Sequence, residues 1–400
     1  MNHIINGNTI LVTVSGQDGP GITARLMKII GHYQVDILDM GQAVTHGLLS
    51  LSFVLGLNSS SNEHSGNVLK DLLFEANLMG LSLSYKVVDK QITTPEMLGD
   101  KFIVTCVSPT KITAQFISDL AQTLANNAIN IERIDKVSPK EFSSMEIATS
   151  IPKDLDSKAL KSELMSVSTK HQIDVAFLKD NVFRRNKRLI VFDMDSTLIQ
   201  TEVIDELADL CGVGAEVRAV TEEAMNGKLD FDESLKKRVS KLKGLKVEKM
   251  QEVLNKLPLT PGVPEFIKTI KMLGYKVALI SGGFTFFADA LKKQLGIDYA
   301  FANELEIVDG ELTGRVTGTI VNANQKAILV KLIAQQENIS LEQVVAIGDG
   351  ANDLPMLATA GLGIAFHAKD VVKKEAQQHL SHGTMTSILY FLGIPGPKDN

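Results

Sequence analysis

The chain has no tryptophan and only two cysteines in 400 residues. Cys106 and Cys211 stand far apart, and neither has a CxxC partner. That argues against a disulfide framework or a zinc site and fits a reducing compartment. Long apolar runs are missing as well. No stretch approaches the roughly 20 residues needed to span a bilayer, and no basic segment followed by an apolar core opens the chain. The expected location is the cytoplasm, with no membrane partner. A basic excess is also lacking: the formal net charge is −6 and the pI about 5.8, so no nucleic-acid partner is expected. The one basic cluster, Arg184-Arg185-Asn186-Lys187-Arg188, reads as a solvated connector between domains. What remains is ordinary globular composition, 44% hydrophobic and 22% charged. A chain of 400 residues is expected to form two or three domains.

In the first half, apolar periodicity predicts a strand over 9–15, a helix over 22–33, a strand from Val35 and another over 48–57. A helix over 68–79 and a strand over 81–88 follow, giving the βαββαβ order of a ferredoxin-like fold. The same order returns from Lys101, where Ile112-Thr113-Ala114 echoes Ile22-Thr23-Ala24. Two small domains, 1–90 and 98–180, are expected.

From Arg188 onward, apolar strands alternate with helices, the pattern of a parallel α/β sheet. Leu189-Ile190-Val191-Phe192 runs straight into Asp193-Met194-Asp195-Ser196-Thr197. Two carboxylates thus sit at the carboxyl end of a buried strand, where open α/β sheets bind ligands. Such acids suit a hard cation with a phosphoryl group held on it, and an aspartate there can act as a covalent nucleophile. A bare Asp-x-Asp, however, also serves as a turn or helix cap. Three later segments give it company. Lys276-Val277-Ala278-Leu279-Ile280 ends in Ser281-Gly282-Gly283, whose hydroxyl and amides can cradle phosphate oxygens. Lys326 opens a helix, and Val344-Val345-Ala346-Ile347 leads into Gly348-Asp349-Gly350-Ala351-Asn352-Asp353. Taken singly, Ser-Gly-Gly is a turn and a lone lysine is a surface residue.

In this order and spacing the four segments resemble the haloacid dehalogenase superfamily of aspartate-nucleophile phosphatases, over roughly the C-terminal half. The resemblance implies a Rossmann-like parallel-sheet phosphatase domain at 185–400 with a mobile helical cap inserted at about 204–257. It implies Asp193 as nucleophile, Asp195 as general acid and base, and Thr197 holding Asp195 in position. Ser281 and Gly282 would bind phosphoryl oxygens, and Lys326 would neutralise charge there. Mg²⁺ would be held by the Asp193 and Asp349 carboxylates and the Asp195 carbonyl, with Asp353 behind them. The front half resembles tandem ACT domains, on the turn Asp18-Gly19-Pro20-Gly21-Ile22. The second copy departs from it, carrying Ser108-Pro109-Thr110-Lys111 at that place. This implies amino-acid sensing by the front half, with serine as effector, and a homodimer. The alternative is a pair of packing modules without a ligand.

Three further segments bear on the ester admitted. Asp193-x-Asp195-Ser-Thr-Leu-Ile-x-x-Glu202, Phe231-x-x-Ser-Leu-x-x-Arg238-Val and Gly-Asp-Gly-Ala-Asn-Asp together resemble the branch of that superfamily acting on O-phospho-L-serine. Glu202 would then meet the substrate ammonium and Arg238 its carboxylate. Met225 and Phe231 would line the cap side, and Asn352 would touch substrate or phosphate. Residue chemistry alone leaves Arg238 and Phe231 as a charged helix face over an apolar anchor. Other readings are a phosphotransferase using another alcohol such as homoserine, and a non-catalytic amino-acid-binding regulator. A glycosyltransferase metal motif has no use for Lys326 or the Gly-Asp-Gly loop.

Overall fold

In the computed structural model, residues 7–58, 62–88, 100–139, 141–152, 154–225 and 228–394 are described. The chain divides into two compact units, Met1–Met97 and Leu98–Asn400.

The first unit has the expected βαββαβ order: β1 (Gly7–Gln17), α1 (Ile22–His32), β2 (Asp36–Thr45), β3 (Leu48–Asn58), α2 (Asn62–Leu78) and β4 (Ser82–Val88). Its antiparallel sheet runs β2-β3-β1-β4. Alternate residues Ile10, Val12 and Val14 of β1 and Leu49, Leu51, Phe53 and Leu55 of β3 bury against Leu26, Ile30, Val68 and Leu72 of the helices. The turn before α1 needs its glycine, since Gly21 caps the helix at φ 91°.

The second unit starts with the same order: β5 (Lys101–Val107), α3 (Ala114–Asn126), β6 (Asn130–Lys136), β7 (Ser144–Ser150), α4 (Ser157–His171) and β8 (Asp174–Lys179). Its sheet runs β6-β7-β5-β8. Thr113 caps α3 by accepting from Phe116 N. One face of this sheet packs on its helices through Val104, Cys106, Ile147 and Val175. The other face, with Val107, Ala176 and Leu178, joins the core of the segment that follows.

That segment holds β9 (Leu189–Phe192), the insert helices α5 (Val203–Leu210), α6 (Gly214–Met225), α7 (Phe231–Ser240) and α8 (Val247–Leu254), then α9 (Val263–Met272), β10 (Lys276–Phe284), α10 (Thr285–Leu295), β11 (Tyr299–Val308), β12 (Glu311–Thr317), α11 (Ala323–Gln336), β13 (Val344–Gly348), α12 (Leu354–Thr359), β14 (Leu362–Phe366), α13 (Asp370–Glu375), β15 (Gln378–Leu380) and α14 (Ile388–Phe391). The seven-stranded sheet runs β12-β11-β10-β9-β13-β14-β15, parallel except for the edge strand β12. Alternate residues of its strands enter two separate cores. Ile190, Phe192, Leu279 and Ile347 lie on one face, and Leu189, Val191, Ile280 and Ala346 on the other. Burial on both faces is why these strands are continuous apolar runs. Strand β9 lies between β10 and β13, so the chain leaves it in two directions. Such a switch point opens a crevice at the strands' carboxyl ends.

The basic connector is solvated only in part, at Arg185, Asn186 and Arg188. Arg184 and Lys187 are buried. Arg184 pairs with Glu146 of β7, and the Lys187 ammonium donates to the Glu342 carbonyl at 2.6 Å. Burial pushes Lys187 down to about 8. The charge run reads as solvent-facing because its partners lie on β7 and before β13, far away in sequence. Asp174, fully buried, fastens the same junction by accepting backbone N–H groups from Ser381, His382 and Gly383 at 2.6–3.3 Å. The Gln378 amide reaches both the N–H and the carbonyl of Phe177, at 3.0 and 2.8 Å.

Strands β11 and β12 form an antiparallel hairpin at one edge of the seven-stranded sheet. The hairpin also carries the insert: Gly244 N donates to Leu312 O at 2.8 Å, Leu312 N to Leu245 O at 2.9 Å and Val247 N to Gly310 O at 3.0 Å. No helix among the described residues is long and apolar enough to cross a membrane.

Candidate active site

The ends of β9, β10 and β13 bring the four sequence segments together. Asp193 follows β9 directly, and its N–H donates to Ile347 O on β13 at 2.9 Å. The chain then makes a tight turn, with Ser196 at φ 57°. This aims Asp193 and Asp195 into the crevice. Lys326, fully buried on the first turn of α11, places its ammonium 2.6 Å from both Asp193 Oδ1 and Asp353 Oδ1. Asp353 Oδ2 accepts from Gly350 N at 2.9 Å, so both its oxygens are occupied.

One expected contact falls out differently. Thr197 does not hold Asp195; its hydroxyl donates to Asp349 Oδ1 at 3.0 Å. Asp195 Oδ1 instead accepts from Val203 N at the start of α5, at 2.9 Å, and its Oδ2 meets the Ser281 hydroxyl at 3.5 Å. The cause is the turn at Ser196, which sends Thr197 toward β13 and leaves Asp195 facing β10.

Charge crowding dominates the site. Burial first, then the Asp353 charge, raises Asp193 well above the carboxylate range against the pull of Lys326. Burial and then Glu202 push Asp195 up to about 7. Burial and then Asp353 push Asp349 up to about 7. For Lys326, burial favours the neutral form, but the Asp193 and Asp353 charges outweigh it and raise the ammonium.

One buried lysine faces this group of carboxylates, and oxygens of Asp193, Asp349 and Asp353 lie within 4.8 Å of one another. One oxygen each of Asp193 and Asp349 accepts no hydrogen bond among the described residues. A cluster of hard oxygen donors with excess negative charge fits a divalent cation.

The Ser281 loop forms a cradle. Gly283 N donates to Ser281 Oγ at 2.8 Å. A Cβ at Gly283 would stand 2.6 Å from Asp195 Oδ2, and one at Gly282 would stand 2.9 Å from the Phe231 ring. Neither position has room for a side chain. Phe231 therefore brings the cap onto the cradle. Arg238, further along α7, has a buried Nε without a partner. Burial lowers the guanidinium, while Glu202, Asp205 and Asp195 act to raise it. Exposed Glu202 accepts from the Ser196 hydroxyl at 2.9 Å. Asn352 is half-buried on the acidic loop. The Met225 side chain lies outside the described residues.

The comparisons with known proteins cover up to 96% of the chain. Residues 187–361 match the haloacid dehalogenase-like hydrolase family, and residues 8–86 and 104–178 each match an ACT domain. The phosphoserine phosphatase of Streptomyces coelicolor is 39% identical over 391 residues, spanning 96% of this chain and 92% of the relative. The chain belongs to the phosphoserine phosphatase family. A second family member, from Mycobacterium tuberculosis, is 37% identical over 386 residues, spanning 96% of this chain and 93% of its own. The unliganded crystal structure of a probable phosphoserine phosphatase from Vibrio cholerae superposes with a TM-score of 0.60 at 40% identity, covering 76% of this chain and 88% of that one.

Within this member of the phosphoserine phosphatase family, sequence reasoning missed Asn303. It is fully buried on β11, donates from Nδ2 to Gly282 O at 2.7 Å and accepts from Val321 N at 2.8 Å. The 282–283 peptide is thereby held at its carbonyl by Asn303 and at its N–H by Ser281. The available signal was an amide directly after the apolar run Tyr299-Ala300-Phe301-Ala302, where an unpaired buried polar group is costly.

Proposed function

We propose that this enzyme hydrolyses O-phospho-L-serine to serine and phosphate through an aspartyl-phosphate on Asp193, with Mg²⁺ as its metal. The observation that carries the substrate assignment is Arg238. A half-buried guanidinium whose buried Nε has no partner, lying within the field of Asp195 and exposed Glu202, offers with Glu202 opposite charges to a zwitterion.

Asp193 and Asp349, with the Asp195 carbonyl, would hold the metal, and when bound it offsets the negative charge that otherwise opposes attack of a carboxylate on a phosphate. Lys326 supplies the rest of that compensation at Asp193. Ser281 and Gly282 hold two phosphoryl oxygens while the free Asp193 oxygen attacks phosphorus. Asp195 gives its proton to the departing serine oxygen. A carboxyl pushed up to about 7 retains that proton near neutral pH. The resulting Asp195 carboxylate then takes a proton from the water that cleaves the acyl phosphate. Phe231 and the other cap residues exclude bulk water during both steps.

The test is a panel of phosphate monoesters assayed with Mg²⁺, with other divalent ions and with EDTA. O-phospho-L-serine is expected to be preferred and EDTA to stop turnover. Equal rates on esters lacking the amino-acid group would overturn the substrate assignment. Transfer to added homoserine in place of water would make it a phosphotransferase.

We further propose a cytoplasmic homodimer that senses serine through its front half. Strand β2 supports pairing: it is an edge strand exposing Ile37, Leu38, Met40 and Val44. Light scattering tests the dimer. Serine-dependent inhibition or melting shift, compared with a chain beginning at Leu98, tests the sensor.

A further inference from the structure

Asn322 uses both ends of one side-chain amide. Its Oδ1 accepts from Gln325 N at 3.1 Å, capping the helix that carries Lys326. Its Nδ2 donates to Asp232 Oδ1 at 3.1 Å. Asp232 belongs to cap helix α7 and follows Phe231, whose ring rests on Gly282. The amide therefore ties the element holding the catalytic lysine to the element holding Phe231 and Arg238.

The two ends of α7 are held by different kinds of joint. Beyond its C-terminus, the hairpin β11–β12 grips residues 244–247 with three backbone hydrogen bonds, two of which make the antiparallel bridge between Lys246 and Glu311. At its N-terminus, a side-chain hydrogen bond, Asn322 to Asp232, links the helix to the core. Several backbone bonds make a fixed pivot. A single neutral-to-charged hydrogen bond shifts an equilibrium by a few-fold to about tenfold, which holds a cap shut yet lets it open in each turnover.

We propose that Asn322 and Asp232 form the closing latch of the cap, as positioning residues that seat Phe231 and Arg238 over the cradle. This rests on the reading of the site as a capped phosphoserine hydrolase. The residue types support it. Aspartate caps a helix as well as asparagine does, so capping alone does not require asparagine at 322. Donation to a carboxylate does, because an aspartate has no N–H to give.

The test exploits that difference. Asn322→Asp retains the helix cap, removes the donor and sets two carboxylates against each other. It is expected to raise KM for O-phospho-L-serine about 3–10-fold with a smaller change in kcat. It should also speed amide hydrogen exchange across α7 in the substrate-free protein by a similar factor. Asp232→Asn alone is expected to stay near wild type, since an amide oxygen at 232 still accepts. The double variant Asn322→Asp with Asp232→Asn reverses donor and acceptor, and should bring both readouts back to within about twofold of wild type. Wild-type KM and exchange in Asn322→Asp, or a double variant no better than that single one, would overturn the latch. Exchange needs no turnover, so a wild-type enzyme inactive on phosphoserine would sink the substrate reading while exchange still decides the latch.

Discussion

Thr197 donates its hydroxyl to Asp349 Oδ1 at 3.0 Å, tying the loop after β9 to the loop after β13. The bond leaves the other Asp349 oxygen free and fixes its direction. Thr197→Val is therefore expected to lower kcat/KM or metal affinity about 10–100-fold, as loss of a ligand's hydrogen-bond partner does. Thr197→Ser should retain most activity. Titration of activity against Mg²⁺ separates the two effects, and a valine variant with wild-type behaviour would remove the role.

Asp193→Asn should abolish turnover without unfolding the enzyme. The substitution deletes the nucleophile, but it also removes one of the mutually repelling buried carboxylates beside Lys326. Melting in EDTA is expected to be no lower than wild type. A near-normal rate would rule out the aspartyl-phosphate.

The raised carboxyls set a pH dependence for the metal-free fold. Unfolded, these aspartates ionise near 3.8; folded, Asp195 and Asp349 hold their protons up to about 7. Between those values the folded state binds more protons, so stability falls as pH rises through the window. Melting temperature in EDTA should drop from pH 5 to pH 7.5, and Mg²⁺ should flatten the trend. Asp349→Asn should show a shallower drop; an unchanged slope would contradict it.

Arg238→Ala should discriminate between substrates. Loss of a half-buried guanidinium that would face the substrate carboxylate is expected to cost about 100-fold in kcat/KM on O-phospho-L-serine. A phosphate ester without the amino-acid group should lose far less. Equal losses would assign Arg238 to cap stability.

The second ACT domain is expected to be needed for the stability of the catalytic half. Asp174→Ala leaves three backbone N–H groups at residues 381–383 without their acceptor, a loss of about 3 kcal/mol or more. The denaturation midpoint of the metal-loaded enzyme measures it. A chain beginning at Arg184 also loses Glu146 from beside the Arg184 guanidinium and should fold poorly compared with one beginning at Leu98.

Much of this was legible from residues alone, because the strands bury both faces and so print as apolar runs. Leu189–Phe192 and Val344–Gly348 end where their acids begin, and the glycines beside them are required by close approach. The second repeat is legible for the same reason, with Thr113 standing at the helix cap. What escaped were partnerships between polar atoms far apart in sequence. Thr197 faces Asp349 rather than its neighbour Asp195, Asn303 supports a peptide on the adjoining strand, and the charges of Arg184 and Lys187 turn inward. Local pattern reports whether a residue is apolar, but the partner of a hydrogen bond is decided by which strands become neighbours.

The Gln378–Phe177 contact has one more consequence. Strand β8 is the last strand of its sheet, and β15 is the last of the seven-stranded sheet. Open sheet edges recruit strands from other molecules. Here the Gln378 side chain takes up both backbone groups of Phe177, so each sheet shields the other's open margin. Separating the two domains would expose two adhesive borders at once, and the expected penalty is self-association in addition to lost stability.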